Sequence, residues 1–173
     1  SGSTGVATVT GSDSQWNNSH SLYVGGGIAE SGGTGALNLY DSGLVTVSNT
    51  TKLHSTGTIV LNGGSLTTGS FDNSEEGALN FHDGTLTVNG SGGVFNPGAN
   101  NFTIDGNAAD DAPELVIADT ASATLSGVLK VGGSRRGALT VESGGVVSNT
   151  HDSFIGRNWG STGIATVTGA NSK

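Results

Sequence analysis

The chain has no cysteine and no methionine. Disulfides, thiol nucleophiles and cysteine-held zinc or iron–sulfur centres are thereby excluded together, although the absence points to no particular redox compartment. Proline occurs only at Pro97 and Pro113, and the 31 glycines follow no three-residue period, which excludes a collagen-type helix. Cations are equally scarce. Lys52, Lys130, Arg135, Arg136, Arg157 and Lys173 stand against 14 acids, for a net charge of -8. Phosphate backbones are held by clustered Lys and Arg, so no nucleic-acid partner is expected. No apolar run approaches the roughly 20 residues that cross a bilayer as a helix, and no membrane span is expected.

What is present is repetition. Residues 2–10 read GSTGVATVT and residues 160–168 read GSTGIATVT, an offset of 158 residues with one exchange, at Val6 and Ile164. Within that span, Gly35-Ala36-Leu37-Asn38-Leu39, Gly77-Ala78-Leu79-Asn80-Phe81 and Gly137-Ala138-Leu139-Thr140-Val141 are variants of one phrase. A second phrase, N-[ST]-H-x-x-[YF]-[VI]-G, runs from Asn18 to Gly25 and again from Asn149 to Gly156. Gly5 to Gly35 is 30 residues and Gly137 to Gly163 is 26, so a short module recurs inside the longer unit.

Each phrase alternates apolar and small polar residues and is bounded by Gly, Asn, Asp or Ser, the period-two pattern of a strand with turns at its ends. A 3.6-residue period is missing, and every interior glycine costs a helix about 1 kcal/mol. Only a short turn near 108–112 is left open. One module, residues 137–157, supplies three strands: GALTV, VVSNT and SFIGR. Three short strands bury no core alone, but they do so when each module is one coil of a β-solenoid and each strand pairs with its counterpart a coil away. The expectation is an all-β parallel β-solenoid of about six or seven coils, one segment over residues 1–173. It comprises a 158-residue unit and the start of the next, since residues 160–173 restate residues 2–15. Leu37, Leu39, Leu79, Phe81, Leu139 and Val141 should form the inward structural ladder. Asn18, Asn49, Asn149, Gly25 and Gly156 should make the repeat turns, where Asn side chains bond nearby backbone. Residues 52–76 and 91–126 depart from the phrases and read as divergent coils with longer loops.

The order GxxTVTGxxSxWxNSxxLYVG from Gly5 to Gly25, then GALxVxxxGxVSNT and FIG, resembles a bacterial extracellular β-strand repeat. It is the repeat of type V secretion autotransporters and PEP-CTERM-associated surface proteins, and the likeness covers Gly5 to Thr50 and Val128 to Gly169. The resemblance implies a right-handed parallel β-helix that is secreted or held at the bacterial cell surface. It brings no active-site motif. The functional expectation is a structural repeat unit of an extracellular fibre or surface adhesin, stacked head-to-tail with further copies of the same repeat, covalent or assembled. The alternative is a carbohydrate-binding or carbohydrate-active β-helix passenger domain with surface glycans as partners.

Candidate chemistry is thin. Asp110 and Asp111 are the one pair of adjacent aspartates, whereas a glycoside hydrolase needs two carboxylates flanking the substrate, one of them protonated. No catalytic residue and no cofactor is assigned. His20 and His151 share a phrase position, but one His per coil makes no tetrahedral set. Calcium could gather at Asp72, Glu75 and Glu76, or at Asp110, Asp111 and Glu114, yet the calcium-binding nonapeptide is absent, and no metal is assigned. Trp16 and Trp159, with Tyr23, Tyr40 and Phe154, could line a sugar surface. The plainer reading stacks Tyr23 and Phe154 as one repeat position and lays each Trp over a turn.

Overall fold

The alternating phrases fold as strand. The computed structural model describes residues 2–173 and, among them, shows eighteen strands, no helix and a parallel β-solenoid of about 6 turns. The first coil holds β1 (Thr4–Thr10), β2 (Gln15–Asn18) and β3 (Leu22–Val24). The next two hold β4 (Thr34–Tyr40) and β5 (Leu44–Leu53), then β6 (Gly57–Asn62) and β7 (Ser65–Asp72). There follow β8 (Ala78–Phe81), β9 (Thr85–Val88), β10 (Val94–Asn96), β11 (Phe102–Ile104), β12 (Glu114–Ile117) and β13 (Ser122–Leu125). The last are β14 (Leu129–Val131), β15 (Arg136–Val141), β16 (Val146–Asn149), β17 (Ser153–Ile155) and β18 (Thr162–Val167).

Every strand pairs in parallel with a counterpart one coil away, and the pairs stack into three faces. Face 1 carries β1, β4, β6 and β8 and resumes after a break with β11, β14 and β17. Face 2 carries β2, the first half of β5, the first half of β7, then β9, β12, β15 and β18. Face 3 carries β3, the second halves of β5 and β7, then β10, β13 and β16. The long strands β5 and β7 therefore each turn a corner.

Inside, like residues stack in register. Leu37, Ile59 and Leu79 form one row on face 1, with Leu39, Leu61 and Phe81 in the next. On face 2, Trp16, Val45, Leu66, Leu86, Leu115, Leu139 and Ala165 run the length of the solenoid. Phe71 and Phe95 stack at 5.7 Å between ring centroids on face 3, and Phe102 meets Phe95 edge-on at 5.1 Å. Of the six residues expected in the ladder, Leu37, Leu39, Phe81, Leu139 and Val141 are buried and Leu79 is partly buried. Leu79 is the less covered because the ladder of face 1 stops at its strand.

The turns follow the phrases with one exception. Asn18 accepts the His20 N–H at 3.0 Å and donates to the Ser21 carbonyl at 3.1 Å. Asn149 donates to the carbonyls of His151 and Asp152 at 2.6 and 3.1 Å. Gly25 and Gly156 have φ of 84° and 63°, the left-handed region that glycine enters without penalty. Asn49 sits instead within β5, where the register shifts between Val47 and Thr50. Here a bulge bends the strand through the corner, so no separate turn forms. The segment at 108–112 is a bend without helix, tied by the Asp111 carboxylate to the Asn107 and Ala108 N–H groups at 3.0 and 2.6 Å.

Sequence phrase and structural face fall out of step. The Gly-Ala-Leu phrase lies on face 1 in β4 and β8 but on face 2 in β15. The reason lies in residues 78–112, where four strands, β8 to β11, stand before β12, the register counterpart of the phrase strand β15, whereas three strand positions separate such strands elsewhere. The extra strand advances the frame by one face. It enters where face 1 is split between β8 and β11.

Candidate functional site

The solenoid presents three places where its regular surface is interrupted. At the N-terminal end the interior opens as a cavity of ≈ 550 Å³, lined among others by Ala7, Trp16, Leu22 and Leu37. At the other end, Ile155 and Val167 occupy inner-row positions above Val131 and Val141, yet stand 58% and 59% exposed. Apolar side chains that are core in the middle of the molecule are thus surface at its ends. The outer edges of β1 and β18 are the last in their sheets, and such unpaired edges recruit further strands.

The third place is the split on face 1. A groove of ≈ 410 Å³ separates β8 from β11, with Asn80, His82, Asn100, Asn101 and Asp105 beside Phe81 and Phe102. Its floor is tied by Asn73, whose amide donates to the Gly77 and Pro97 carbonyls at 3.2 and 3.3 Å, while its Oδ1 has no partner.

Between the second and third coils a polar staple crosses the wall. His54 is fully buried, with Nε2 2.9 Å from the Gly27 carbonyl and Nδ1 3.0 Å from Glu75 Oε2. A carbonyl only accepts, so Nε2 carries a proton; the Glu75 carboxylate accepts from Nδ1 when the ring is doubly protonated. Lys52 Nζ reaches Glu75 and Asp72 at 3.3 and 3.4 Å. The hydrogen bond to His54, helped by Lys52, holds the Glu75 carboxyl below the usual carboxylate range against the push of burial. Burial pushes Asp72 up, but the Ser74 N–H and Lys52 outweigh it, so this carboxyl also lies low. Burial likewise opposes the charge on Lys52, yet the two carboxylates raise its pKa overall.

Depressed carboxyl pKa values stabilise the fold above the unfolded-state values near 4 and lose that contribution as pH falls through the folded values. The raised Lys52 contributes below about pH 10 and loses it above. Melting temperature should therefore fall on acidification below about pH 4. Glu75→Gln should shallow that acid arm. Equal acid slopes for the two proteins would show that the staple is not the titrating element.

The structure disperses the remaining candidates. Asp72 and Glu75 are engaged by Lys52, and Glu76 accepts from Asn100 at 2.8 Å. Asp111 ties its own loop, and Glu114 accepts from the Thr140 hydroxyl at 2.7 Å. No group of three or more His, Asp or Glu side chains that could hold a metal ion occurs among the described residues. His20 is exposed between β2 and β3, and His151 between β16 and β17, at different corners near opposite ends. Tyr23 lies on face 3 beside Lys52 and Phe154 on face 1 beside Lys130, so the two do not stack. Phe154 carries the Arg157 guanidinium 4.8 Å from its ring centre. Trp16 is the first rung of the face 2 row and packs on the core, whereas Trp159 is 103% exposed.

Sequence reasoning missed His54. It occupies the place after Leu53 that Gly25 occupies after Val24, and Val24 and Leu53 are register partners. A histidine standing where the phrase has glycine was the available signal. No family model, no curated protein and no solved structure matched the chain.

Proposed function

We propose that the chain is a non-catalytic repeat unit of a bacterial extracellular fibre or surface adhesin, continued head-to-tail by further copies into a long solenoid filament. One observation carries the reading. The phrase TG[VI]ATV pairs with a Gly-Ala-Leu strand through either of its edges: in β1 it lies before β4, with Gly5 opposite Gly35, and in β18 it lies after β15, with Gly137 opposite Gly163. The edge left free in β18 is the one through which β1 holds β4. A strand like β4 from a further copy fits that edge, and the apolar ends described above would be covered by the same contact. The bacterial, extracellular setting rests on the resemblance of Gly5 to Thr50 and Val128 to Gly169 to autotransporter and PEP-CTERM-associated repeats.

With about 4.8 Å between coils, a unit of six coils and one strand advances roughly 30 Å. Electron microscopy of native material containing the chain should show thin, unbranched fibres with that axial repeat. Compact particles whose two ends are sealed by unrelated sequence would sink the proposal. The carbohydrate-binding alternative draws on the amide-lined groove between β8 and β11, and a glycan array on the purified chain separates the two.

A further inference from the structure

We infer that successive copies of this unit are set one face apart around the solenoid axis, so that the filament is a three-unit screw. The inference rests on the filament reading and adds the geometry of the joint. Three phrases carry it, all displaced by one face in the same sense: the first across one full unit of 158 residues, the other two across shorter stretches of 102 and 131 residues within the unit. TG[VI]ATV moves from face 1 in β1 to face 2 in β18. The Gly-Ala-Leu phrase moves from face 1 in β4 to face 2 in β15. The aromatic position of the second phrase moves from face 3, at Tyr23 in β3, to face 1, at Phe154 in β17.

The displacement is a matter of strand number. Because β5 and β7 each serve two faces, β18 stands nineteen strand positions after β1, which is six coils of three and one strand more. The start of the following strand agrees. Lys173 stands 158 residues after Gln15, the first residue of β2 on face 2. Its N–H donates to the Gly145 carbonyl at 3.1 Å, and its carbonyl accepts from the Val147 N–H at 2.7 Å, which are ladder bonds to the edge of β16 on face 3. The copy of Gln15 therefore already lies one face beyond the original.

Continued by the same rule, a second copy lays its β2 over β16, its β3 over β17 and its β4 over β18. Rotation by one face per unit returns to the starting face after three units, about 90 Å along the axis. Any feature carried once per unit, the β8–β11 groove included, then faces a different direction in each of three successive copies. The fibre displays that feature all around its circumference.

The test is a two-unit chain in which a second copy of residues 16–173 follows Lys173. No native cysteine interferes. Ile164 and Ala36 each precede an inward-row residue, Ala165 and Leu37, and so lie on the outer surface. Parallel neighbours about 4.8 Å apart lie within disulfide reach. Ile164→Cys in the first copy with Ala36→Cys in the second should oxidise to a disulfide detectable by mass. Phe154→Cys with the same Ala36→Cys should not. The reverse result overturns the one-face rotation and leaves a continuous solenoid standing. Neither disulfide, in chains whose circular dichroism is that of folded strand, overturns both the rotation and the filament reading. Electron cryomicroscopy of the unsubstituted two-unit chain supplies the same answer should a cysteine variant fail to fold: the two β8–β11 grooves on adjacent faces support the screw, and on one face they refute it.

Discussion

Replacing Phe95 by alanine is expected to lower the unfolding free energy by about 3–5 kcal/mol, the usual cost of removing a buried aromatic ring. The ring is fully buried and lies between Phe71 and Phe102. Its strand, β10, is three residues long and has two register partners on each side, so few ladder bonds stand behind the packing. Phe95 also joins faces: Phe71 belongs to face 3, while Phe102 opens the resumed half of face 1. In a solenoid each coil touches only its neighbours, so loosening this contact should let the coils on either side of the split unfold less cooperatively. Chemical denaturation followed by circular dichroism should give an earlier and broader transition. Val94→Ala, at a half-exposed position in the same strand, should stay within about 0.5 kcal/mol of the parent. Equal losses for the two variants would mean that the aromatic stack does not hold β10 and β11 in place.

How far this architecture was legible in the sequence depended on whether a residue repeated. Leu37, Leu39, Leu139 and Val141 recur at one place in one phrase, and alternation alone told that they face one way. The face on which they lie was not legible, because nothing in Gly-Ala-Leu distinguishes face 1 from face 2. That is set by the number of strands lying between the phrases. The decisive count comes from Val94-Phe95-Asn96 and Phe102-Thr103-Ile104, two strands of three residues separated by Pro97, Gly98, Ala99 and two asparagines. Runs so short carry almost no periodicity, and they read as loop. The groove at the split was hidden for the same reason, since it exists only because the ladder stops at β8 and restarts at β11. Asn49 misled in the opposite direction. Its phrase matches Asn149, but the chain around it stays extended and bulges between faces 2 and 3, whereas Asn149 makes a turn between faces 3 and 1, so identical residues turn different corners in two ways.

The glycines that open the Gly-Ala-Leu phrases punctuate the sequence as turn residues would, but the structure gives them a different role. No left-handed φ is found at Gly35, Gly77 or Gly137, nor at Gly163 of the TG[VI]ATV phrase. A Cβ on Gly137 would instead fall against the Ile104 carbonyl and the Gly132 N–H, and one on Gly77 against the His54 carbonyl. At each the chain enters a new strand hard against the backbone of another, and backbone held in ladders on both sides does not give way. Gly137→Ala should therefore destabilise by about 3 kcal/mol, the upper part of the range for forcing a methyl into filled space. Gly5 is the informative control because it stands opposite Gly35 in register, yet a Cβ there meets nothing within 4 Å. Gly5→Ala should leave the melting temperature unchanged or slightly raised, since alanine restricts the unfolded chain. Comparable losses for the two substitutions would mean that these glycines are required for backbone conformation, and the close approach would lose its place as their physical cause.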